Sequence, residues 1–330
     1  MKKKPFVIGL FVLLCLMTFH FFSRYQSYAP LEGLAARIPI RFFPYSNVPK
    51  VQAEIEGKQY SLLLDMGFSK QIDLKRKWID QIKDIKKIEN AKFFDVKGSE
   101  YEVSGFFIPK VVLKEGVTFS NGSINEISPA FHIDGATLWP ESGWKRWQKY
   151  LQFQAIDGSI GWPAFQKAVC LFDFSRSVLF VAERIDSLMN CKGYSGEDFV
   201  AAPFELKNFG AVLAFETDLG VKHLLLDTGA THSCLRESLV PKEAATEFAK
   251  DKRLYVNRKL SCGGQDLGSN FFVLFDITEK LDVDGILGFD FFEDRAVCLD
   301  FPNKMAYIQY RGEKPGLCER FICWLQGILV

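Results

Sequence analysis

The sequence predicts an all-β chain of two similar lobes with a cleft between them, preceded by an N-terminal transmembrane helix. Three observations carry that prediction. Phe is abundant, at 32 of 330 residues, and Phe favours strands and cores. The segment SLLLDMGFSKQIDL around Asp65 recurs as HLLLDTGATHSCL around Asp227. Further on, residues 157–181 (DGSIGWPAFQKAVCLFDFSRSVLFV) align without a gap with residues 284–308 (DGILGFDFFEDRAVCLDFPNKMAYI). Two blocks that recur in one order mark an internal duplication.

At the N-terminus, Lys2, Lys3 and Lys4 precede an apolar run over residues 6–22, interrupted by Thr18 and His20. Its length approaches that of a bilayer-spanning helix. The three lysines against Arg24 place the N-terminus in the cytoplasm and the bulk of the chain outside it, periplasmic or extracellular. Residues 1–28 are therefore expected to be cytoplasmic lysines and a single-pass anchor. A cleaved signal peptide with a secreted product is the alternative, although Pro30 after Ser27 and Ala29 makes a poor cleavage site. Residues 29–44 read as a stalk, an inter-lobe strand or a masking propeptide.

The first lobe is expected over residues 29–189 and the second over 190–312, with a polar, Gly-containing linker over 190–198. In the first, VQAEIEGKQYSLLL alternates as half-buried strands do about a turn at Gly57; in the second, VLAFETDLGVKHLLL does so about Gly220. Residues 75–88 space Trp78, Ile82, Ile85 and Ile88 at helical intervals and predict a surface helix. Residues 93–107, FFDVKGSEYEVSGFF, alternate about Lys-Gly-Ser and predict a hairpin. The second lobe is shorter here and shows no equivalent. The Trp-rich stretch 137–151 reads as a loop and a short helix. The apolar tail over residues 313–330 reads as a packed terminal helix or a membrane-surface contact.

Composition narrows the function. Hydrophobic residues make up 48% and charged residues 25%, with a net charge of +1 and no long basic block, so nucleic acid finds no electrostatic footprint. Seven of the eight cysteines lie beyond the apolar run and show no CxxC. An odd number gives no complete disulfide framework. Most are expected as buried thiols, and Cys318 with Cys323, or Cys191 with a distant partner, are the candidate bridges. His132 and His223 have no metal-ligand spacing. Asn121-Gly122-Ser123 is a glycosylation sequon.

In the second half, LLLDTGA followed by DGILGFDFF and LDF resembles the aspartic peptidase superfamily, the pepsins and retropepsins. In that family an Asp-Thr/Ser-Gly loop projects a catalytic carboxylate and a later apolar–apolar–Gly strand passes behind it. The resemblance places these elements at Asp227, Thr228, Gly229 and at Ile286, Leu287, Gly288. The first-half equivalents are Asp65, Met66, Gly67 and Ser159, Ile160, Gly161. It covers residues 50–310 and implies two retropepsin-like lobes in one chain, as in pepsins. It further implies catalytic Asp65 and Asp227, a loop supported by Gly67, Thr228 and Gly229, and a flap hairpin over the cleft. Residues 93–107 sit in the place of that flap, with Tyr101 as its aromatic candidate. The implied activity is membrane-anchored endopeptidase cleavage of polypeptide by a monomer, with no cofactor and no metal.

The chemistry stands without the family. Two close carboxylates cannot both ionise, so one proton is shared between them. One carboxylate then takes a proton from water while its partner polarises the scissile carbonyl. Glycines after the Asp residues let backbone approach the carboxylates closely. The first loop departs from the family: Met66 replaces Thr or Ser and has no hydroxyl for the bond across to the opposite loop, and Phe68 is bulky. Two other readings follow. One is an impaired relative that binds extended peptide by strand-like hydrogen bonds; the other is a second lobe active only in a dimer. Asp157, Asp284, Asp173 and Asp300 are expected in turns and strand ends. The nearness of His232 and Cys234 follows from the loop after Gly229 and does not indicate a thiol peptidase.

Overall fold

The structure is a computed structural model that describes residues 36–42, 48–113, 117–126, 156–189, 194–249 and 252–311. These belong to one compact unit, Leu34–Val330. The first half contributes β1 (Ala36–Pro39), β2 (Arg41–Phe42), β3 (Pro49–Ile55), β4 (Lys58–Asp65), β5 (Ile72–Leu74), β6 (Lys86–Phe94), β7 (Glu100–Leu113), β8 (Thr118–Glu126), β9 (Gly158–Gly161), β10 (Val169–Asp173) and β11 (Val178–Ala182). The second contributes β12 (Val200–Pro203), β13 (Glu205–Lys207), β14 (Gly210–Thr217), β15 (Gly220–Leu226), β16 (Cys234–Arg236), β17 (Ala245–Ala249), β18 (Lys252–Asn257), β19 (Ser261–Cys262), β20 (Gln265–Asp266), β21 (Asn270–Phe275), β22 (Gly285–Leu287), β23 (Arg295–Asp300) and β24 (Met305–Tyr310). The described helices are short, so the chain is mostly β-sheet, as its sequence predicts.

The duplication is visible in the strand order. An eight-stranded sheet runs β2-β3-β4-β9-β5-β8-β7-β6, and a ten-stranded sheet contains β14-β15-β22-β16-β21-β18-β17 in matching succession. The direction of pairing matches too: β4 is parallel to β9 as β15 is to β22, and β5 is parallel to β8 as β16 is to β21. Each half folds its Asp-bearing strand out of a hairpin whose turn glycine is left-handed, Gly57 at φ +77° and Gly220 at φ +82°. That conformation carries no Cβ penalty in glycine.

A six-stranded sheet, β1-β11-β10-β23-β24-β12, takes strands from both halves. At its centre β10 and β23 run antiparallel with Leu171 opposite Cys298, which are equivalent positions in the gap-free alignment. Ser177 and Lys304, also equivalent, are both left-handed, at φ +54° and +52°. Phe42, Phe172 and Phe174 from the first half pack against Phe289 and Phe292 from the second at centroid distances of 5.4 to 6.3 Å. Edge-on and offset aromatic pairs of this kind add to area burial, and the abundant Phe is used to join the halves.

Some expectations change. The surface helix expected over residues 75–88 is one turn, Arg76–Ile79, and Lys86–Phe94 is strand. Ile79 and Ile82 are buried, but Ile88 is 44% exposed. Helical spacing there is overridden by pairing with the long β7, as tertiary context overrides local pattern. The second half does have a hairpin, β17–β18, in the place of β6–β7. Of the three readings for residues 29–44, the described part is strand, β1 pairing with β11 and β2 with β3. The sequon lies within β8. Cys170, Cys234, Cys262 and Cys298 are free buried thiols.

The expected anchor (residues 1–28), the stretch 137–151, Cys191, Cys318, Cys323, His132 and the tail 313–330 lie outside the described residues. Among the described residues no helix is long and apolar enough to cross a membrane.

Candidate active site

Asp65 ends β4 beside Gly161 of β9, and the backbone N–H of Asp227, one residue beyond β15, donates to Leu287 O of β22 at 3.0 Å. Each Leu-Leu-Leu strand is buried on both faces, which explains its continuous apolar run. Each ends in the same turn, with Phe68 N–H donating to Asp65 O (3.2 Å) and Ala230 N–H to Asp227 O (3.3 Å). The turns meet, and the two carboxylates are brought against one another around the Gly67 N–H.

One backbone group measures how close they are. The Gly67 N–H lies 3.0 Å from Asp65 Oδ1 and 3.2 Å from Asp227 Oδ1. A Cβ on Gly67 would stand 2.3–2.6 Å from the Asp227 carboxyl atoms, and one on Gly229 2.4–2.6 Å from those of Asp65. Each glycine therefore makes room for the carboxylate of the opposite loop.

The donors are unequal. Asp227 accepts from Gly229 N (2.8 Å), Ala230 N (3.3 Å) and Gly67 N, whereas Asp65 accepts from Gly67 N. Burial first, and the Asp227 charge next, hold the Asp65 carboxyl well above the ordinary range. Burial raises Asp227 too, and contact with Asp65 together with its N–H donors offsets only part of that rise. Two buried carboxylates this close hold one proton between them, and its titration belongs to the pair.

Thr228 ties the loops together. Its buried hydroxyl donates to Leu64 O (2.7 Å) and accepts from Met66 N (3.0 Å). Met66 returns no hydroxyl bond; it is 1% exposed and packs into the main core. Phe68 is also buried, with its ring against Gly161, where a Cβ would meet it at 2.9 Å. The bulk that set this loop apart in the sequence is absorbed beneath the loop.

Searches against protein-family descriptions and curated sequences return no match. Solved structures do match. An aspartic proteinase from Irpex lacteus superposes with a TM-score of 0.55 at 13% identity, over 86% of this chain and 99% of that one. Basic 7S globulin from soybean gives 0.53 at 8% identity, over 85% and 95%. Conglutin gamma, a basic 7S globulin from lupine seeds, gives 0.52 at 12% identity, over 85% and 96%. The chain has the aspartic-proteinase fold. At these identities the likeness carries the fold, which two globulins share with a named proteinase.

Within this fold the first-half hairpin reaches the second half. Thr278 N–H donates to Val96 O (2.9 Å), and Lys280 Nζ bonds Glu100 Oε1 (2.8 Å). Val96 packs against a buried cluster containing Val212, Leu225 and Ile286. Tyr101 lies in this hairpin opposite Phe93, and its hydroxyl donates to Asp95 Oδ2 at 3.3 Å. Tyr101 shares a pocket with Ser69 of the Asp65 loop and Phe209 of the second half.

The carboxylates read as structural take that role. Asp157 Oδ2 accepts from Ser61 N and Asp284 Oδ2 from His223 N, both at 2.8 Å, in equivalent positions. Asp173 and Asp300 accept from Arg176 N and Asn303 N in the matching turns. Cys234 is buried, and burial pushes its thiol up to about 12, which leaves it inert as a nucleophile.

Sequence reasoning missed two acids beside the site, Asp73 buried and Asp290 half-buried. Asp73 accepts from Ser159 N behind Asp65, and its charge adds to the rise of the Asp65 carboxyl. Asp290 holds Ser233, taking its N–H at 2.8 Å and its hydroxyl at 2.7 Å, while Ser233 Oγ accepts from Gly288 N. Asp290 aligns with Pro163 in the gap-free repeat, so an unmatched acid was the available signal.

Proposed function

We propose that the chain is an aspartic endopeptidase in which two lobes of one chain face a peptide-binding cleft and Asp65 and Asp227 activate water. The observation that supports this most is the Gly67 N–H shared between two carboxylates brought from repeats 162 residues apart. Asp227, with its three N–H donors, accepts a proton from water. Asp65 takes the role of proton holder, donates to the scissile carbonyl and stabilises the charge that forms on its oxygen. Both carboxylates come from one chain, so the site needs no second copy. A second reading, a peptide-binding cleft without turnover, draws on the one-sided Thr228 tie and on the two globulins among the similar structures.

The test uses the full chain on quenched fluorescent peptides in mildly acid buffer. Asp65→Asn and Asp227→Asn each abolish a pepstatin-sensitive cleavage. Cleavage that survives Asp65→Asn contradicts the intramolecular pair, and binding with no cleavage selects the second reading.

A further inference from the structure

The Asp65 loop continues from Phe68 into Ser69 and Lys70, which line a pocket of about 650 Å³. Its opposite wall is the first-half hairpin, with Lys92, Glu100 and Glu102, and the second half closes it with Asn208 and Phe209. The pocket adjoins the dyad loop on that side as well, because a Cβ on Gly210, next to Phe209, would meet Met66 O at 2.4 Å.

The pocket is lined by two lysines and two glutamates, whose partners differ. Glu100 is held by Lys280 at 2.8 Å, and Glu102 accepts from Asn90 Nδ2 at 2.9 Å. Lys92 sits across the hairpin from Glu102 and also acts on Glu100. Lys70 is half-buried, and among the described residues no carboxylate pairs with it; burial alone pushes its ammonium down. A half-buried ammonium without a counter-ion gains by taking one from a ligand.

We propose that this pocket is a subsite for an acidic side chain of an extended peptide, with Lys70 as the counter-ion that selects Asp or Glu. Tyr101 and Phe209 border the space for the stem of that side chain, Glu100 is already paired with Lys280, and Lys70 supplies the cation on the dyad-loop side. The assignment rests on the cleft reading above, and it makes a neutral or basic residue at this position unfavourable. Among the described residues the dyad carboxylates accept from Gly67, Gly229 and Ala230, and Lys70 bonds neither. It sets which peptide is held, and it acts through binding.

The experiment uses the full chain and one peptide frame in which each position flanking the cleavage site is Glu, Gln or Lys. Cleavage gives kcat/KM for each peptide, and anisotropy gives binding to the Asp227→Asn chain. One flanking position is expected to favour Glu over Gln by about tenfold, as one charge-assisted hydrogen bond implies. Lys70→Met brings that ratio near one, and Lys70→Glu turns the preference to Lys, a gain that a misfolded variant cannot show. Cleavage with no acidic preference, or with one that Lys70→Glu leaves unchanged, overturns the subsite and leaves the peptidase standing. Lys70-dependent binding of Glu peptides that are never cut keeps the subsite and removes the peptidase. A chain that neither binds nor cuts any peptide of the series overturns both.

Discussion

Thr228 makes two buried hydrogen bonds to the opposite loop, so Thr228→Val leaves the Leu64 carbonyl and the Met66 N–H without partners. Stranding two such groups costs about 3 kcal/mol. Urea denaturation is expected to show a loss of that size, with Thr228→Ser retaining most of the stability. Asp290 makes a different prediction. Burial raises its carboxyl from 3.8 to about 6, so between those values the folded chain holds a proton that the unfolded chain has released. Its stabilising contribution is complete below the unfolded value and is lost as pH rises through the folded one. The size is about 3 kcal/mol. Asp290→Asn should therefore flatten the decline in denaturation midpoint between pH 4 and 7, and an unchanged slope would count against a protonated Asp290. The Thr228 partner was readable because a hydroxyl in a buried seam needs one. Asp290 left only its mismatch with Pro163 as a signal, since nothing in FDFF itself shows that its carboxyl turns toward Ser233.

At the scale of elements, the hairpin β6–β7 was readable from its alternation and its Lys-Gly-Ser turn. Its docking was not, because the Val96–Thr278 bond and the Glu100–Lys280 pair join residues 182 and 180 positions apart. β17 and β18 escaped notice for a related reason: their Lys, Arg and Glu residues mask the alternation, as charges do on strands at a sheet edge. The helical spacing over residues 75–88 misled because a strand had to continue the sheet there. If the hairpin is held by its tip, Lys280→Ala should speed hydrogen exchange at the amides of residues 95–101 while leaving β23 and β24 protected. Equal exchange in both proteins would show that the ion pair does not hold the hairpin down.

Across the whole molecule the duplication organises both the sheet that joins the halves and the site. Residues 157–181 and 284–308 align in sequence and lie about a pseudo-twofold centre at Leu171 and Cys298; the repeat was readable in the sequence, and the pairing of its two copies was not. Met66 against Thr228 and Pro163 against Asp290 break it in sequence, and the carboxylates differ as well, Asp227 accepting from three backbone N–H groups and Asp65 from one. The site depends on the halves together: burial and the charge of one loop set the proton affinity of the other. Carbon-detected NMR titration of labelled Asp side chains, in the wild-type chain and in Asp227→Asn, tests this most directly. The Asp65 carboxyl is expected to titrate well above the ordinary range and to fall when Asp227 is neutralised, though burial keeps it raised. An Asp65 titration that is ordinary, or that Asp227→Asn leaves unmoved, would contradict the shared proton.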